Sequence, residues 1–221
     1  MLCLNNITVR NTLVDLNLII NKGEFVLVTG DNGAGKTTLF NTISGHVFPK
    51  SGTIVIDGQD VTRLQQYARA AIVSNVLQDP RAGTVGSMTI RDNLNIAYMR
   101  GKRRELTPSN SSVRDGLYRE KLSILKMDLE NRLDDYVEDL SGGQRQALSI
   151  IMSIIVDSKI LLFDEITAAL DPKTSDNIMR IAREVVATEQ KTCLMITHNI
   201  KHMDQMGCRR LVIRNGKLNE R

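Results

Sequence analysis

The stretch Gly30-Asp31-Asn32-Gly33-Ala34-Gly35-Lys36-Thr37-Thr38 constrains the fold of this chain more than any other. It fits G-x-x-x-x-G-K-[ST] and follows an apolar run, Phe25 to Val28, that reads as a buried strand. Glycines let such a loop turn back so that its N–H groups converge on one polyphosphate. A helix from Lys36 to about Ser44 would add the positive end of its dipole. Lys36 would reach the β- and γ-phosphates as a point charge, and the Thr37 hydroxyl would coordinate Mg²⁺. The alternative is a glycine-rich turn that merely joins strand to helix. The phosphate reading demands more: a carboxylate elsewhere in the chain to hold the metal.

A chain of 221 residues can bury one sizeable core, and residues 1–221 read as a single domain. Lys and Arg number 29 against 25 Asp and Glu, and this net +4 is too mild to mark a nucleic-acid partner. Cys3, Cys193 and Cys208 are widely spaced with no CxxC, which fits idle thiols in a reducing cytosol better than a disulfide framework or a zinc site. The start, Met1 to Asn6, has neither a basic n-region nor a long apolar core, so no signal peptide is expected. The longest apolar run, Ala147 to Val156, is interrupted by Ser149 and Ser153 and is too short to span a bilayer. Work at a membrane would require docking onto another protein.

Leu16, Leu18 and Ile20 at every second position, with Thr8-Val9 before them across Arg10-Asn11, predict two short strands of an N-terminal β layer. Thr53 to Ile56, between turn signals at 49–52 and Asp57-Gly58, predicts a further strand of that layer. Ala70 to Leu77 reads as a strand ended by Gln78-Asp79-Pro80. From Met88 the period changes. Thr89-Ile90-Arg91-Asp92 resembles a capping box, and Ile90, Leu94 and Ala97 share one helical face. Lys102-Arg103-Arg104 reads as solvated surface, with proximity to anionic lipid as the alternative, and Thr107 to Ser112 as an exposed mobile loop. A second helix is expected over about 113–129, ahead of the acidic run Asn131 to Asp139. Together with the apolar helix after Ser141, this defines a helical subdomain at about 88–158, inserted in the catalytic core.

Ile160 to Phe163 is a continuous apolar strand ending in Asp164-Glu165, which places two carboxylates at the ligand-binding edge of a sheet. Asp171-Pro172 predicts the N-cap and first residue of a helix whose apolar face is Ile178, Ile181, Ala182, Val185 and Val186. Thr192 to Thr197 is another buried strand with His198 at its end, and Arg210 to Leu218 reads as a hairpin around Asn215-Gly216. The alternation predicts an α/β fold: a P-loop NTPase with a largely parallel core sheet, an N-terminal antiparallel β layer and the inserted helical subdomain.

Asp164 is the carboxylate that the phosphate loop requires for Mg²⁺. Glu165, pointing differently, could accept a proton from a water attacking the γ-phosphate; compensation of a helix dipole is its structural alternative. Gln78 and His198 end other strands and could face the same rim. Ser141 makes a good N-cap, and Gly142-Gly143 taken alone could be a flexible joint.

With these residues in place, the chain resembles the ATP-binding cassette (ABC) family along essentially its whole length. Leu140-Ser141-Gly142-Gly143-Gln144 looks like the family's signature segment, Gln78 like its Q-loop glutamine, Ala169-Leu170-Asp171 like its D-loop and His198 like its switch histidine. The resemblance implies a head-to-tail homodimer closing on ATP with Mg²⁺. Asn32, Gly33, Ala34, Gly35, Lys36, Thr37 and Thr38 of one chain would hold phosphates, and Thr37, Gln78 and Asp164 the metal. Glu165 would act on the attacking water, and Gln78 and His198 would position that water and the γ-phosphate, facing Ser141, Gly143, Gln144 and Asp171 of the other chain. Integral-membrane permease subunits would receive the motion, placing the chain in the cytoplasm, peripheral on the inner face of the cell membrane, with no nucleic acid involved. The family stacks an aromatic residue on adenine upstream of the lysine. Here that neighbourhood is Val9-Arg10-Asn11, which implies weaker nucleobase discrimination.

A narrower resemblance, carried by Gln78-Asp79-Pro80, Gly83-Thr84, Met88-Thr89-Ile90 and 167–174, is to ATPases of bacterial importers that depend on a substrate-binding protein, some serving aromatic amino acids. It implies ATP hydrolysis driving import of a small solute, with export as the alternative direction. One competing function is a cassette ATPase that remodels nucleic acid or a protein assembly, whose common versions carry long coiled coils or two cassettes. Another is a small-molecule P-loop kinase, which Leu140 to Gln144 opposes.

Overall fold

Two sheets divide the apolar side chains between them. The computed structural model describes residues 1–102, 112–198 and 208–220. Arg103, Arg104 and the expected loop over 107–111 lie outside the described residues. Strands β1 (Leu2–Val9), β2 (Leu13–Ile20), β4 (Ser51–Ile56) and β5 (Gln59–Asp60) form an antiparallel sheet in the order β2-β1-β4-β5. Its first strand starts well before Thr8. Leu2, Leu4 and Ile7 are all buried there. On β2 the alternation slips once, at Asp15, whose φ of 48° accompanies a register shift in the β1–β2 pairing.

The second sheet runs β10-β9-β3-β8-β7-β6. Its members β3 (Phe25–Thr29), β6 (Val73–Val76), β7 (Ile160–Asp164), β8 (Thr192–Ile196) and β9 (Arg209–Arg214) are parallel, and β10 (Lys217–Glu220) returns antiparallel from β9. The period of two splits each central strand between two cores. Val26, Val28, Leu162, Leu194 and Ile196 pack with the antiparallel sheet and helix α1 (Lys36–Ser44). Leu27, Leu161, Phe163, Cys193 and Met195 pack with the helices on the other side.

Those helices are α4 (Ile90–Tyr98), α5 (Ser112–Ser123), α6 (Gly142–Ile154) and α7 (Pro172–Thr188). Two short helices, α2 (Gln66–Arg69) and α3 (Pro80–Gly83), flank β6. The expected face of α7, Ile178, Ile181, Ala182, Val185 and Val186, is buried throughout.

Two further elements differ from expectation. Helix α5 stops at Ser123 rather than near residue 129, because Lys126 and Asp128 adopt φ of 54° and 61° and turn the chain so that both Leu125 and Leu129 are buried. Strand β6 spans four residues rather than 70–77. The reason is Arg69, fully buried and in no direct ion pair among the described residues, with the Asp60 carboxylate acting on it only through space. Its guanidinium donates to Thr42 O (2.7 Å) and Ile43 O (3.1 Å) in the last turn of α1 and to Thr62 O (3.1 Å). This anchor holds 66–72 as a short helix and a turn. Cys3 and Cys193 are free thiols, and among the described residues no helix is long and apolar enough to cross a membrane.

Candidate active site

Four connections leave the same edge of the parallel sheet: the loop after β3, Gln78 after β6, Asp164-Glu165 at the end of β7 and His198 after β8. Register fixes their neighbourhood, since Val28 pairs with Ile196 and Ile196 with Asp164. The loop itself closes tightly against two other segments. A Cβ on Gly30 (φ 149°) would lie 2.2 Å from Ile213 O, and one on Gly35 (φ 108°) 2.8 Å from Thr12 O, so only glycine fits at either place.

Gly35 is the N-cap of α1 and offers no side chain to its first N–H groups. That helix start is left open to an anion. Lys36 is nearly buried, its Nζ donating to Gly30 O (2.8 Å) and Asp31 O (3.0 Å), so the cation lies folded under its own loop. Asn32, Gly33 and Thr37 are exposed, Thr38 is half-buried, and Ala34 is buried.

Asp164 is half-buried, and among the described residues its carboxylate enters no ion pair or hydrogen bond. Burial, and then the neighbouring Glu165 carboxylate, push its carboxyl above the ordinary range, with Lys36 working in the opposite direction. A desolvated carboxylate and an exposed threonine hydroxyl on the same sheet edge are oxygen donors of the kind that suits a hard divalent cation. Glu165 sits at φ 48°, its N–H donating to Ile196 O (3.0 Å) and its carbonyl accepting from Ala168 N (3.0 Å). It therefore opens a turn rather than a helix, which removes the dipole-compensation alternative. The turn aims Glu165 Oε1 at His198 Nε2, 3.0 Å away. Gln78 is exposed on the same edge.

The Ser141 segment belongs to a different group. Ser141 Oγ accepts from Gln144 N (3.2 Å) while Gln144 Oε1 accepts from Ser141 N (3.1 Å), a complete capping box at the start of α6. A Cβ on Gly143 would lie 2.5 Å from Thr174 Cγ2, and Thr174 N donates to Asp171 Oδ1 (3.1 Å) at the start of α7. Hydrogen bonding from the Thr174 side chain, and then from its backbone N–H, holds the Asp171 carboxyl below its usual range. Among the described residues, no hydrogen bond or ion pair joins Ser141, Gly143, Gln144 or Asp171 to the loop over 30–38, Asp164, Glu165 or His198. The sequence residues thus assemble as two groups, not one.

Sequence reasoning passed over three residues that hold these groups in place. Arg69 anchors the far end of α1, and Arg145 and Gln146 reach from α6 to the Gln78 segment. Arg69 carries no sequence signal in its alanine-rich setting. Arg145-Gln146 directly follows Gln144 and could have been questioned for that reason alone.

The family profile described as "ABC transporter" matches residues 13–168. A tyrosine transport ATP-binding protein of Clostridioides difficile is 44% identical over 209 residues, 94% of this chain and 83% of the relative. A putative ABC transporter ATP-binding protein of Streptococcus mutans is 33% identical over 86% of this chain, which spans 33% of that longer protein. The methionine import ATP-binding protein MetN of Vibrio vulnificus is 31% identical over 96% of this chain and 59% of its own length. Among solved structures, the dimeric post-hydrolysis state of the ATP-binding cassette MJ0796 bound to ADP and Pi superposes with a TM-score of 0.81 and 26% identity, covering 100% of this chain and 98% of that one.

Proposed function

The chain belongs to the ABC transporter family as an ATP-binding, ATP-hydrolysing subunit, and on that premise we propose that it closes as a homodimer around ATP to drive a membrane permease importing a small solute of the amino-acid class. The observation that carries this reading is the division of the site residues into two groups. One group holds an open helix start, a desolvated carboxylate and a Glu–His pair on one sheet edge; the other holds the Ser141 helix start beside Asp171. Each is half of a site that a second copy completes.

In this reading residues 1–221 act as one unit, with the helices at about 88–158 as its inserted part. Backbone N–H groups from Asn32 to Thr38 and the Lys36 ammonium bind the phosphates. Thr37, Asp164 and Gln78 would hold Mg²⁺, which when bound neutralises developing charge on the phosphoryl oxygens. Glu165 takes the proton of the attacking water, and His198 Nε2 holds the carboxylate in place from 3.0 Å. Gln78 orients the water. Ser141, Gly143, Gln144 and Asp171 of the second copy enclose the same phosphates with a second helix start. The tyrosine transport relative supports the amino-acid class, and the methionine import relative supports the importer direction, and with it an extracytoplasmic substrate-binding protein as an indirect partner.

The test is to tag the chain in its native host, solubilise the membranes in mild detergent and identify what co-purifies. A polytopic protein in stoichiometric amount is expected. Recovery with ribosomes or DNA-repair proteins instead would remove the membrane from the mechanism while leaving the ATPase.

A further inference from the structure

Gln78 sits on a segment held at both ends by consecutive residues of one helix. Gln146, 1% exposed, donates from Nε2 to Leu77 O (3.3 Å) on the near side. On the far side Arg145 donates from Nε to Thr84 Oγ1 (2.6 Å) and from Nη2 to Thr84 O (3.4 Å). Thr84 is itself buried. Its hydroxyl donates to Pro80 O (2.8 Å) while accepting from Arg145, so the proton and one lone pair are both used.

The residues that follow are tied down as well. Asn93 Oδ1 accepts from Val85 N (2.8 Å) and its Nδ2 donates to Val85 O (3.0 Å), while Gly86 O accepts from Glu138 N (3.0 Å) just ahead of Ser141. A Cβ on Gly86 would lie 3.3 Å from Arg145 Nη2, so the glycine leaves room for the guanidinium. Arg145 pairs with no carboxylate among the described residues. Its fork is spent on Thr84.

We propose that Arg145 and Thr84 are positioning residues that lock the Gln78 segment to the Ser141 helix start and thereby couple the two nucleotide sites of the dimer. This rests on the two-copy reading above. Gln78 serves the site of its own chain, whereas Ser141 serves the site shared with the partner. Arg145 lies one residue beyond Gln144 in the first turn of α6. A displacement of the Gln78 segment is therefore handed to the helix start that closes the second site. A charge-assisted bond from a planar fork transmits such a displacement with direction, which an ammonium on a flexible stem does not.

The experiment uses the purified full chain. ATP binding is measured at concentrations where the chain is monomeric, and hydrolysis is measured against ATP concentration. Thr84→Val and Arg145→Lys should each lower kcat about tenfold, the loss expected for a charge-assisted bond. Monomer ATP affinity should stay unchanged and the Hill coefficient should fall to one. Thr84→Ser, which keeps the hydroxyl, should restore both, and the double variant should be no worse than either single one. Wild-type kcat and Hill coefficient in Thr84→Val, or equal losses in Thr84→Ser and Thr84→Val, would overturn the coupling. The two-copy reading has its own control: Glu165→Gln should form a dimer in ATP. A chain that stays monomeric there overturns the dimer itself, and the coupling with it.

Discussion

The chain builds two glycine-bearing helix starts and completes them in opposite ways. At α1 the glycines serve conformation: Gly33 and Gly35 take φ of 79° and 108°, and the N-cap offers no side chain. At α6 neither Gly142 nor Gly143 has positive φ, and the start is closed by the Ser141–Gln144 capping box. There Gly143 is needed for proximity, because α7 passes within reach of its missing methyl at Thr174. The first start is electrostatically incomplete until an anion arrives. The second is satisfied beforehand and can be presented as a finished surface. A nucleotide should accordingly order the first and find the second already formed.

Replacing each glycine by alanine separates the two roles, and this is the largest effect expected. Gly35→Ala forces a strained φ and a contact with Thr12 O, a cost of about 1–3 kcal/mol that falls on the bound loop geometry. ATP affinity of the monomer should drop by roughly ten- to a hundredfold. Gly143→Ala meets only a methyl, so the monomer should bind ATP as before while hydrolysis, which in the proposed dimer needs the second copy, falls about tenfold as α6 is pushed from Thr174. Calorimetric titration beside steady-state ATPase assays decides it. Equal losses of monomer affinity would erase the distinction.

A smaller effect tests the incompleteness directly. Asp164 carries a carboxyl whose folded pKa is raised, chiefly by burial. Such a group contributes stability that is fully present below its unfolded pKa and is lost as pH rises through the folded one. At neutral pH the nucleotide-free chain therefore carries an unfavourable charge. Asp164→Asn should raise its melting temperature by about 2–4 °C per kcal/mol recovered. The gain should shrink as pH falls through the carboxylate range and vanish in strong acid, while Mg²⁺-dependent hydrolysis is abolished. A melting temperature that drops at neutral pH would mean the carboxylate is already compensated.

The contrast between the two starts also marks what the sequence could show. The 30–38 loop, Ser141 as a cap and Asp171-Pro172 as a helix start are local patterns, and each is found where the pattern put it. So is the placement of Gln78, Asp164, Glu165 and His198 along one sheet edge, since parallel strands carry their C-terminal ends there. What was hidden depends on distant partners. Arg69 looks like any surface arginine until α1 supplies the carbonyls that bury it. Glu165 gives no sign that it will turn left-handed, because that turn is set by Ile196 across the sheet. The early end of α5 rests on Lys126 and Asp128: lysine has no left-handed preference and aspartate only a weak one, yet burying Leu125 before them and Leu129 after them requires the turn.

The smallest effect lies at the other end of the nucleotide, where the open start has no counterpart. The tip between β1 and β2 packs on the loop through Thr12, and at that tip Arg10 is exposed with φ 44° and no aromatic neighbour in Val9-Arg10-Asn11. A base–aromatic stack is worth about 1–3 kcal/mol. Without it, affinity rests on phosphates, which ATP and GTP share. The two nucleotides should therefore bind within about fivefold of each other, because a guanidinium stacks on either purine face without reading its edge. Arg10→Ala should weaken both alike, by no more than about fivefold, and Arg10→Tyr should strengthen both by restoring a ring. Competition titrations of the monomer measure all three. A wild-type preference for ATP beyond about a hundredfold, worth some 2.7 kcal/mol, would require an edge-reading contact at the base. The phosphate loop would then no longer be the dominant source of nucleotide affinity.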